Sequence, residues 1–185
     1  MSNNTSTDVS TTRSGPVPPV PTEDELWALI AAERLRLADD LAALGEQQLA
    51  VPSQCDAWSV RDVLAHLVTP FQLSTPKFVF TLIKNRANFD RTMIELTAGT
   101  AARYETAELI ELLRANAENR WTPPGEGAGL LLSEIVVHGQ DIRNPLGLAN
   151  PVPAATVALA LELVEKPGVA ADYRRRIEAT ASAAR

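Results

Sequence analysis

Residues 128–143 read AGLLLSEIVVHGQDIR, a mostly apolar run long enough for about four turns of helix. A Pro-Pro-Gly turn at 123–125 precedes the run and an Asn-Pro pair at 144–145 follows it, and both are helix breakers. Glu134 stands four residues before His138, so both side chains project from one face. A carboxylate in apolar surroundings needs a cation or a strong hydrogen-bond partner, because an isolated buried charge is very costly. The stretch therefore predicts a buried helix that carries a pair of metal-ligand side chains.

Helical patterns continue on both sides of this stretch. The apolar residues, 45% of the chain, are mostly Ala, Leu and Val, and the alternating runs typical of strands are almost absent. Capping boxes at Thr22 with Glu25 and at Ser59 with Asp62 mark two helix starts. Caps, apolar spacing and breakers together predict helices over residues 23–44, 60–73, 76–96, 106–120, 128–143 and 154–166, with a short one around Tyr173 and Ile177. The predicted fold class is an all-α bundle with one long crossover connection.

The sequence divides into three regions. Residues 1–21 consist largely of Ser, Thr, Asn and Pro, which bury too little apolar surface to offset ordering entropy, and we predict a disordered leader there. Residues 22–168 form the predicted helical domain, a size that suits a single core. Residues 169–185 are predicted to be a C-terminal helix or tail.

Composition excludes several classes of function. The net charge of −6 gives no general attraction to nucleic acid or to an anionic membrane, and a short basic run at 174–176 is typical of a solvated helix face. The single cysteine, Cys55, excludes an internal disulfide and a Cys-rich metal site. The sequence has neither a signal-peptide pattern nor an apolar stretch of membrane length, so we expect a soluble, cytoplasmic protein.

His66 and His138 are the only histidines, and each falls in the middle of a predominantly apolar predicted helix. Imidazole nitrogens and carboxylate oxygens are ligands that zinc accepts in proteins. We therefore predict one divalent-metal site built from His66, Glu134 and His138. The same residues also fit two core histidines bonded to carbonyls or carboxylates, with Glu134 at a solvated edge. Spacing alone leaves both interpretations open.

Two aspartates are candidates for hydrogen bonds to the imidazole nitrogens that would not bind the metal. Asp62 stands one turn before His66, and Asp141 stands three residues after His138. A metal-bound imidazole usually donates its other N–H to a carboxylate or a carbonyl. The alternatives are that Asp62 serves only in the capping box with Ser59 and that Asp141 bonds to Arg143 or to a loop amide.

Two segments of the chain resemble the signatures of a known family. Residues 52–67, PSQCDAWSVRDVLAHL, resemble the first signature of the mycothiol-dependent maleylpyruvate isomerase family. Residues 133–143, SEIVVHGQDIR, resemble the second, and the two stand in the family's order. The family belongs to the DinB/YfiT-like superfamily of metal-binding bundles, so the resemblance implies a four-helix bundle with additional short helices over about residues 23–166.

The resemblance also implies a chemistry. In the family, the histidine of the first signature and the glutamate and histidine of the second bind one divalent ion, usually zinc, and these positions are His66, Glu134 and His138 here. Three protein ligands leave zinc an open position, and a thiol bound to zinc is held as the nucleophilic thiolate. The family's thiol is mycothiol, which implies attack on a small electrophile, followed by isomerisation or by release of the thiol adduct.

Other functions stay open at this point. Full isomerases of the family carry a second, C-terminal domain, which we expect this chain of 185 residues to lack. A generic thiol transferase, or a metal-binding protein of unassigned reaction, is therefore favoured over isomerisation of maleylpyruvate-like compounds. A metal-dependent hydrolase would use the open position for water. A non-catalytic module would use the metal only to brace its helices. We expect a thiol and an electrophile as small-molecule partners, and a monomer or homodimer.

Overall fold

The computed structural model describes residues 21–55, 58–123, 125–163 and 175. A single isolated bridge, between Pro52 and Ser59, is the only pairing of extended chain within these ranges, so the all-α prediction is confirmed. The helices are α1 (Glu23–Ala42), α2 (Glu46–Leu49), α3 (Val60–Val68), α4 (Thr75–Lys84), α5 (Phe89–Arg103), α6 (Thr106–Ala115), α7 (Ala128–Arg143) and α8 (Ala154–Glu162), and a 3₁₀ turn (Thr69–Gln72) follows α3.

Some predictions concern residues outside the described ranges. The predicted leader over residues 1–21 is described only at Pro21, and the predicted C-terminal helix or tail over residues 169–185 only at Arg175. The domain limits at residues 22 and 168 therefore stay predictions. Among the described helices, none is long and apolar enough to span a membrane.

Two helices begin where the capping boxes predicted. At the start of α1 the N–H of Glu25 donates to Thr22 Oγ1 at 3.3 Å, and the N–H of Thr22 donates to Glu25 Oε2 at 2.7 Å. Ser59 and Asp62 form the same reciprocal pair at the start of α3, at 3.1 and 2.9 Å. Each box satisfies two backbone donors that a helix start leaves without partners. Because the cap fixes the start of α3, it also fixes the face on which His66 lies.

Helices α1 and α3 make most of the helix–helix contacts in the bundle. Helix α1 packs against α6 and α7, α3 packs against α5, α6 and α7, and α8 packs against α7. Fully buried leucines lie at these interfaces, among them Leu37, Leu64, Leu109, Leu113 and Leu132. The contact between α3 and α7 brings the polar residues of those two helices together inside an otherwise apolar core.

A buried ion pair locks α7 to α1. Arg143, which is fully buried at the end of α7, donates from Nη1 to Glu33 and from Nε to Asp40 Oδ2, the latter at 2.7 Å. The other carboxylate oxygen of Glu33 accepts from Arg36 Nε at 3.0 Å. Gly139 makes room for this pair, since a Cβ at that position would lie 3.1 Å from Arg143 Nη1. The position of α7 against α1 is thus set by charge as well as by packing.

The prediction of one continuous helix over residues 76–96 is wrong. Two helices, α4 and α5, occupy this stretch, and the chain turns between them through Arg86 and Ala87, both in the left-handed region with φ of 57° and 58°. Asn88 caps α5 by accepting from the N–H of Arg91 at 2.8 Å. Asn85 donates to Glu95 at 3.1 Å and so ties the turn to α5. A side chain that caps the backbone competes with helix continuation, and here Asn88 does so.

Other boundaries shift by shorter distances. The helix predicted over residues 60–73 is α-helical only to Val68 and ends as the 3₁₀ turn, and the one predicted to residue 120 ends at Ala115. The short helix α2 occupies a segment that no predicted helix covered. Frayed or tightened ends of this kind are common, because terminal turns lack half of their hydrogen bonds.

Candidate metal centre

Helices α3 and α7 bring the three predicted ligands together. His66 lies on α3, and Glu134 and His138 lie one turn apart on the face of α7 that meets it. Their ligand atoms all lie within 4.8 Å of one another. Oε2 of Glu134 is 3.2 Å from Nε2 of His66 and 3.3 Å from Nε2 of His138, so both imidazoles direct the same nitrogen at one carboxylate oxygen. The structure therefore joins residues that are 68 positions apart in the sequence.

This donor set fits a divalent cation of the zinc type. Ligand atoms about 2.0–2.1 Å from a tetrahedral ion lie about 3.3 Å from each other, which is the separation observed here. The same separations suit hydrogen bonds between a carboxylate and protonated imidazoles. The chemistry of the set, two imidazoles and one carboxylate at the junction of two apolar helices, is what distinguishes a ligand cluster from a solvated ion pair.

The outer nitrogen of His138 has a dedicated partner. Oδ2 of Asp141 lies 2.8 Å from Nδ1 of His138, and both side chains are buried. The backbone of Asp141 is held in turn, because its carbonyl accepts from the N–H of Gln54 at 3.2 Å. With the Nδ1 proton committed to Asp141, the Nε2 lone pair of a neutral imidazole faces Glu134 and is available to a metal. Asp141 thus makes the contact predicted for it, and its role beside a metal stays a prediction.

His66 has a different supporting group from the one predicted. Its Nδ1 lies 3.3 Å from Oγ1 of Thr97, which is buried on α5. The Trp58 ring lies against the imidazole, with centroids 5.1 Å apart. Asp62 accepts instead from the backbone N–H and the hydroxyl of Ser59, at 2.9 and 2.6 Å. The capping role of Asp62 is therefore the one that the structure displays, and Thr97 takes the place beside His66 that Asp62 was predicted to fill.

The electrostatics of the cluster favour an ionised Glu134 and a protonated His138. Burial opposes ionisation of Glu134, but hydrogen bonds and charges from His138 and His66 outweigh it and hold the pKa of Glu134 well below its ordinary range. Burial likewise opposes a charge on His138, yet Asp141 and Glu134 raise the pKa of His138 to about 9. Without a metal, the pair is thus a carboxylate facing a protonated imidazole. A divalent cation would take the place of that proton between the same atoms.

The cluster opens into a large pocket of about 1010 Å³. Glu134 is 26% exposed and His66 14%, whereas His138 is only 8% exposed. Apolar and aromatic side chains make up much of the wall, including Trp58, Leu67, Leu113, Trp121, Leu131 and Ile135. A volume of this size accommodates an ordinary small ligand or two, since ligand pockets run to about 300–1,000 Å³.

Cys55 lies near the cluster but not among its three ligands. It lines the pocket and groups with His138 and Asp141 through ligand atoms within 4.8 Å of one another. Among the residues that the structure describes, no fourth His, Cys, Asp or Glu joins His66 and Glu134 at that distance.

Sequence reasoning missed two polar residues of this region. Thr97 sits on a face of α5 that buries several threonines, a pattern that could have indicated a polar lining. Arg34 is 3% exposed on α1 and lines the pocket, and no motif marked it. Only three-dimensional packing brings either residue to the site.

Fold and site together define an all-helical domain of the DinB-like class with a cluster of residues that could hold a metal ion at the wall of its pocket. The family model for the mycothiol maleylpyruvate isomerase N-terminal domain matches residues 30–143. The match covers more than half of the chain, and the protein belongs to this family. No curated protein and no solved structure matches the chain. The family match and the ligand cluster support a mycothiol-related, metal-binding function, with a small-molecule thiol as partner.

Proposed function

We propose that this protein is a metal-dependent enzyme that uses mycothiol to act on a small electrophilic compound, with zinc as the metal. His66, Glu134 and His138 would hold the ion. The observation that carries the proposal is the convergence of three ligand atoms on one point at the wall of a large pocket. When bound, the metal would stabilise the thiol as its thiolate, and the thiolate is the nucleophile.

The residues around the cluster prepare it for this task. Asp141 holds the imidazole of His138 in one orientation, and Thr97 and Trp58 restrain His66. Rigid placement of the imidazoles matters because a site whose side chains must reorganise when the metal binds has a lower affinity for it. Because His138 is buried, water has little access to its contacts with Glu134 and Asp141.

The pocket supports a reaction with two small molecules. Its apolar walls suit the carbon skeleton of an electrophile, and its volume leaves space beside the cluster for a thiol. In an isomerisation, the thiolate sulfur adds to an activated carbon–carbon double bond, the resulting single bond rotates, and elimination returns the thiolate unchanged. In an S-transfer, the adduct takes up one proton and leaves as a thioether. The proposal covers both outcomes, which share the first bond-forming step.

Metal analysis and calorimetry test the proposal directly. The full chain, purified without chelator, is expected to bind one zinc ion, and mycothiol is expected to bind only when the metal is present. His138→Ala should lose both, because it removes a ligand atom. Ser133→Ala is the matched control on the same helix, since the hydroxyl of Ser133 donates, within the described part of the chain, to the backbone carbonyls of Gly129 and Ala160 and not to the cluster.

Each outcome separates the alternatives. Native protein that neither carries zinc nor takes it up would refute the metal centre. Zinc without thiol binding would refute the thiol-dependent enzyme and favour a hydrolase or a braced helical module. Equal zinc binding by His138→Ala and the native protein would show that the ligands lie elsewhere.

A further inference from the structure

Arg34 is a buried cation in the wall of the pocket that contains the ligand cluster. It lies on α1, is 3% exposed, and contributes to the pocket lining together with His66, Glu134 and His138. Burying a guanidinium is costly unless it is paired. Burial lowers the pKa of Arg34 to about 10, which still leaves it protonated at neutral pH.

Backbone carbonyls satisfy only one end of this side chain. Nη1 of Arg34 donates to the carbonyls of Asn116, Ala117 and Asn119 after the end of α6, at 3.3, 3.1 and 2.7 Å. Its Nε and Nη2 make no hydrogen bond to the residues that the structure describes, and neither is a fully buried atom without a partner, so both are open to solvent. The guanidinium carbon lies 4.9 Å from the centroid of the Phe71 ring, which holds its plane from one side. The group is therefore fixed in position with part of its donor set unused.

No carboxylate neutralises this cation within the described ranges. The other buried arginine among the described residues, Arg143, forms ion pairs with Glu33 and Asp40, whereas Arg34 forms none. Three acidic residues that the structure describes line the same pocket, Asp90, Glu126 and Glu134, and none of them forms an ion pair with Arg34. A fixed guanidinium in a ligand pocket, with N–H groups that no acceptor of the described residues engages, is suited to a planar anion, because its fork of N–H groups matches a carboxylate.

We propose that Arg34 is a specificity-determining residue of the pocket, whose guanidinium binds a carboxylate of the substrate and so places the reactive carbon toward the ligand cluster. This inference assigns the residue that binds the anion, and it rests on the proposed function for the reaction. The anion contact itself rests only on Arg34 and its surroundings. Mycothiol is not required for the contact.

Benzoate titration of the full chain tests the subsite. Calorimetry, or quenching of the tryptophans that line the pocket, should detect benzoate binding, and the neutral benzamide should bind at least about tenfold more weakly, since a charge-assisted pair of hydrogen bonds is lost. Arg34→Gln should weaken benzoate by a similar factor and leave benzamide unchanged. Arg34→Lys keeps the charge without the fork and is expected to fall between the two.

Arg61 provides the matched control. It too donates to carbonyls, those of Ala101 and Tyr104 at 2.9 and 2.6 Å, but it does not line the pocket. Arg61→Gln should therefore lower thermal stability as Arg34→Gln does and leave benzoate binding intact. If Arg34→Gln does not fold, Arg34→Lys against Arg61→Lys makes the same comparison.

The outcomes distinguish this subsite from the metal centre. Benzoate binding that persists in His138→Ala and falls in Arg34→Gln supports the subsite, even if the protein binds no zinc. Binding that is lost in His138→Ala and kept in Arg34→Gln overturns it, because the carboxylate would then bind at the ligand cluster. Equal affinities for benzoate and benzamide, or for native and Arg34→Gln protein, also overturn it.

Discussion

Oδ2 of Asp141 lies 2.8 Å from Nδ1 of His138, and this contact leaves Nε2 of the same ring facing Glu134. Removal of the charge on Asp141 should therefore loosen the imidazole without removing a ligand. We predict that Asp141→Asn lowers zinc affinity by about 10–100-fold, as is usual for partners behind a metal ligand, while one ion still binds at saturation. Competition with a chromophoric chelator measures this change.

Asp62→Asn is the corresponding control, since Asp62 bonds to Ser59 at the helix start. It should cost about 1 kcal/mol of unfolding free energy and leave zinc affinity unchanged. A loss of affinity in Asp62→Asn equal to that in Asp141→Asn would contradict the assignment of the two roles.

Most helices could be predicted from the sequence because their signals are local. The capping box of Thr22 with Glu25 and that of Ser59 with Asp62 involve residues three apart, and both boxes are present. The turn between α4 and α5 could not be predicted in the same way. Neither glycine nor proline marks it, and its two left-handed residues, Arg86 and Ala87, are types that rarely adopt that conformation.

The same distinction holds at the site. Glu134 and His138 could be paired from their spacing on one helix, and the apolar sequence around them indicated that they need a partner. Thr97 could not be assigned to His66, because the two are 31 residues apart and only the packing of α3 on α5 joins them. Arg34 meets its carbonyl partners across more than 80 positions, a relationship that no local pattern encodes.

The left-handed turn gives a prediction for stability. Ala87 has a φ of 58°, where a Cβ is unfavourable and glycine is not penalised. Ala87→Gly should raise the free energy of unfolding by about 0.5–1 kcal/mol, measured by urea denaturation. Ala98, exposed within α5, is the control, and Ala98→Gly should lower it by about 1 kcal/mol. Destabilisation by both substitutions would show that the turn does not hold this conformation in solution.

The buried pair between Arg143 and Glu33 gives a second prediction for stability. Arg143→Met removes the buried partner of Glu33, which is left with the half-exposed Arg36 alone, and it should cost about 3 kcal/mol of unfolding free energy. The double variant with Glu33→Leu should regain part of this loss, since no buried charge is then left without its partner. Thermal and urea denaturation of the two single variants and the double variant give the coupling free energy between Arg143 and Glu33. Strictly additive losses would mean that the two side chains do not interact in solution.

Zinc uptake should depend on pH through His138. Its pKa of about 9 means that the metal-free protein carries a proton on this imidazole at neutral pH, and a metal binds only the deprotonated ring. Apparent zinc affinity should therefore rise about tenfold per pH unit between pH 6.5 and 8, with close to one proton released per ion.

The stability of the metal-free protein should change with pH in the opposite direction. The raised pKa of His138 stabilises the fold fully below about pH 6.5, and this contribution to the free energy of unfolding is lost as the pH passes through 9. Calorimetry in buffers of different ionisation enthalpy counts the released protons, and affinity that does not change with pH would contradict zinc binding at His138.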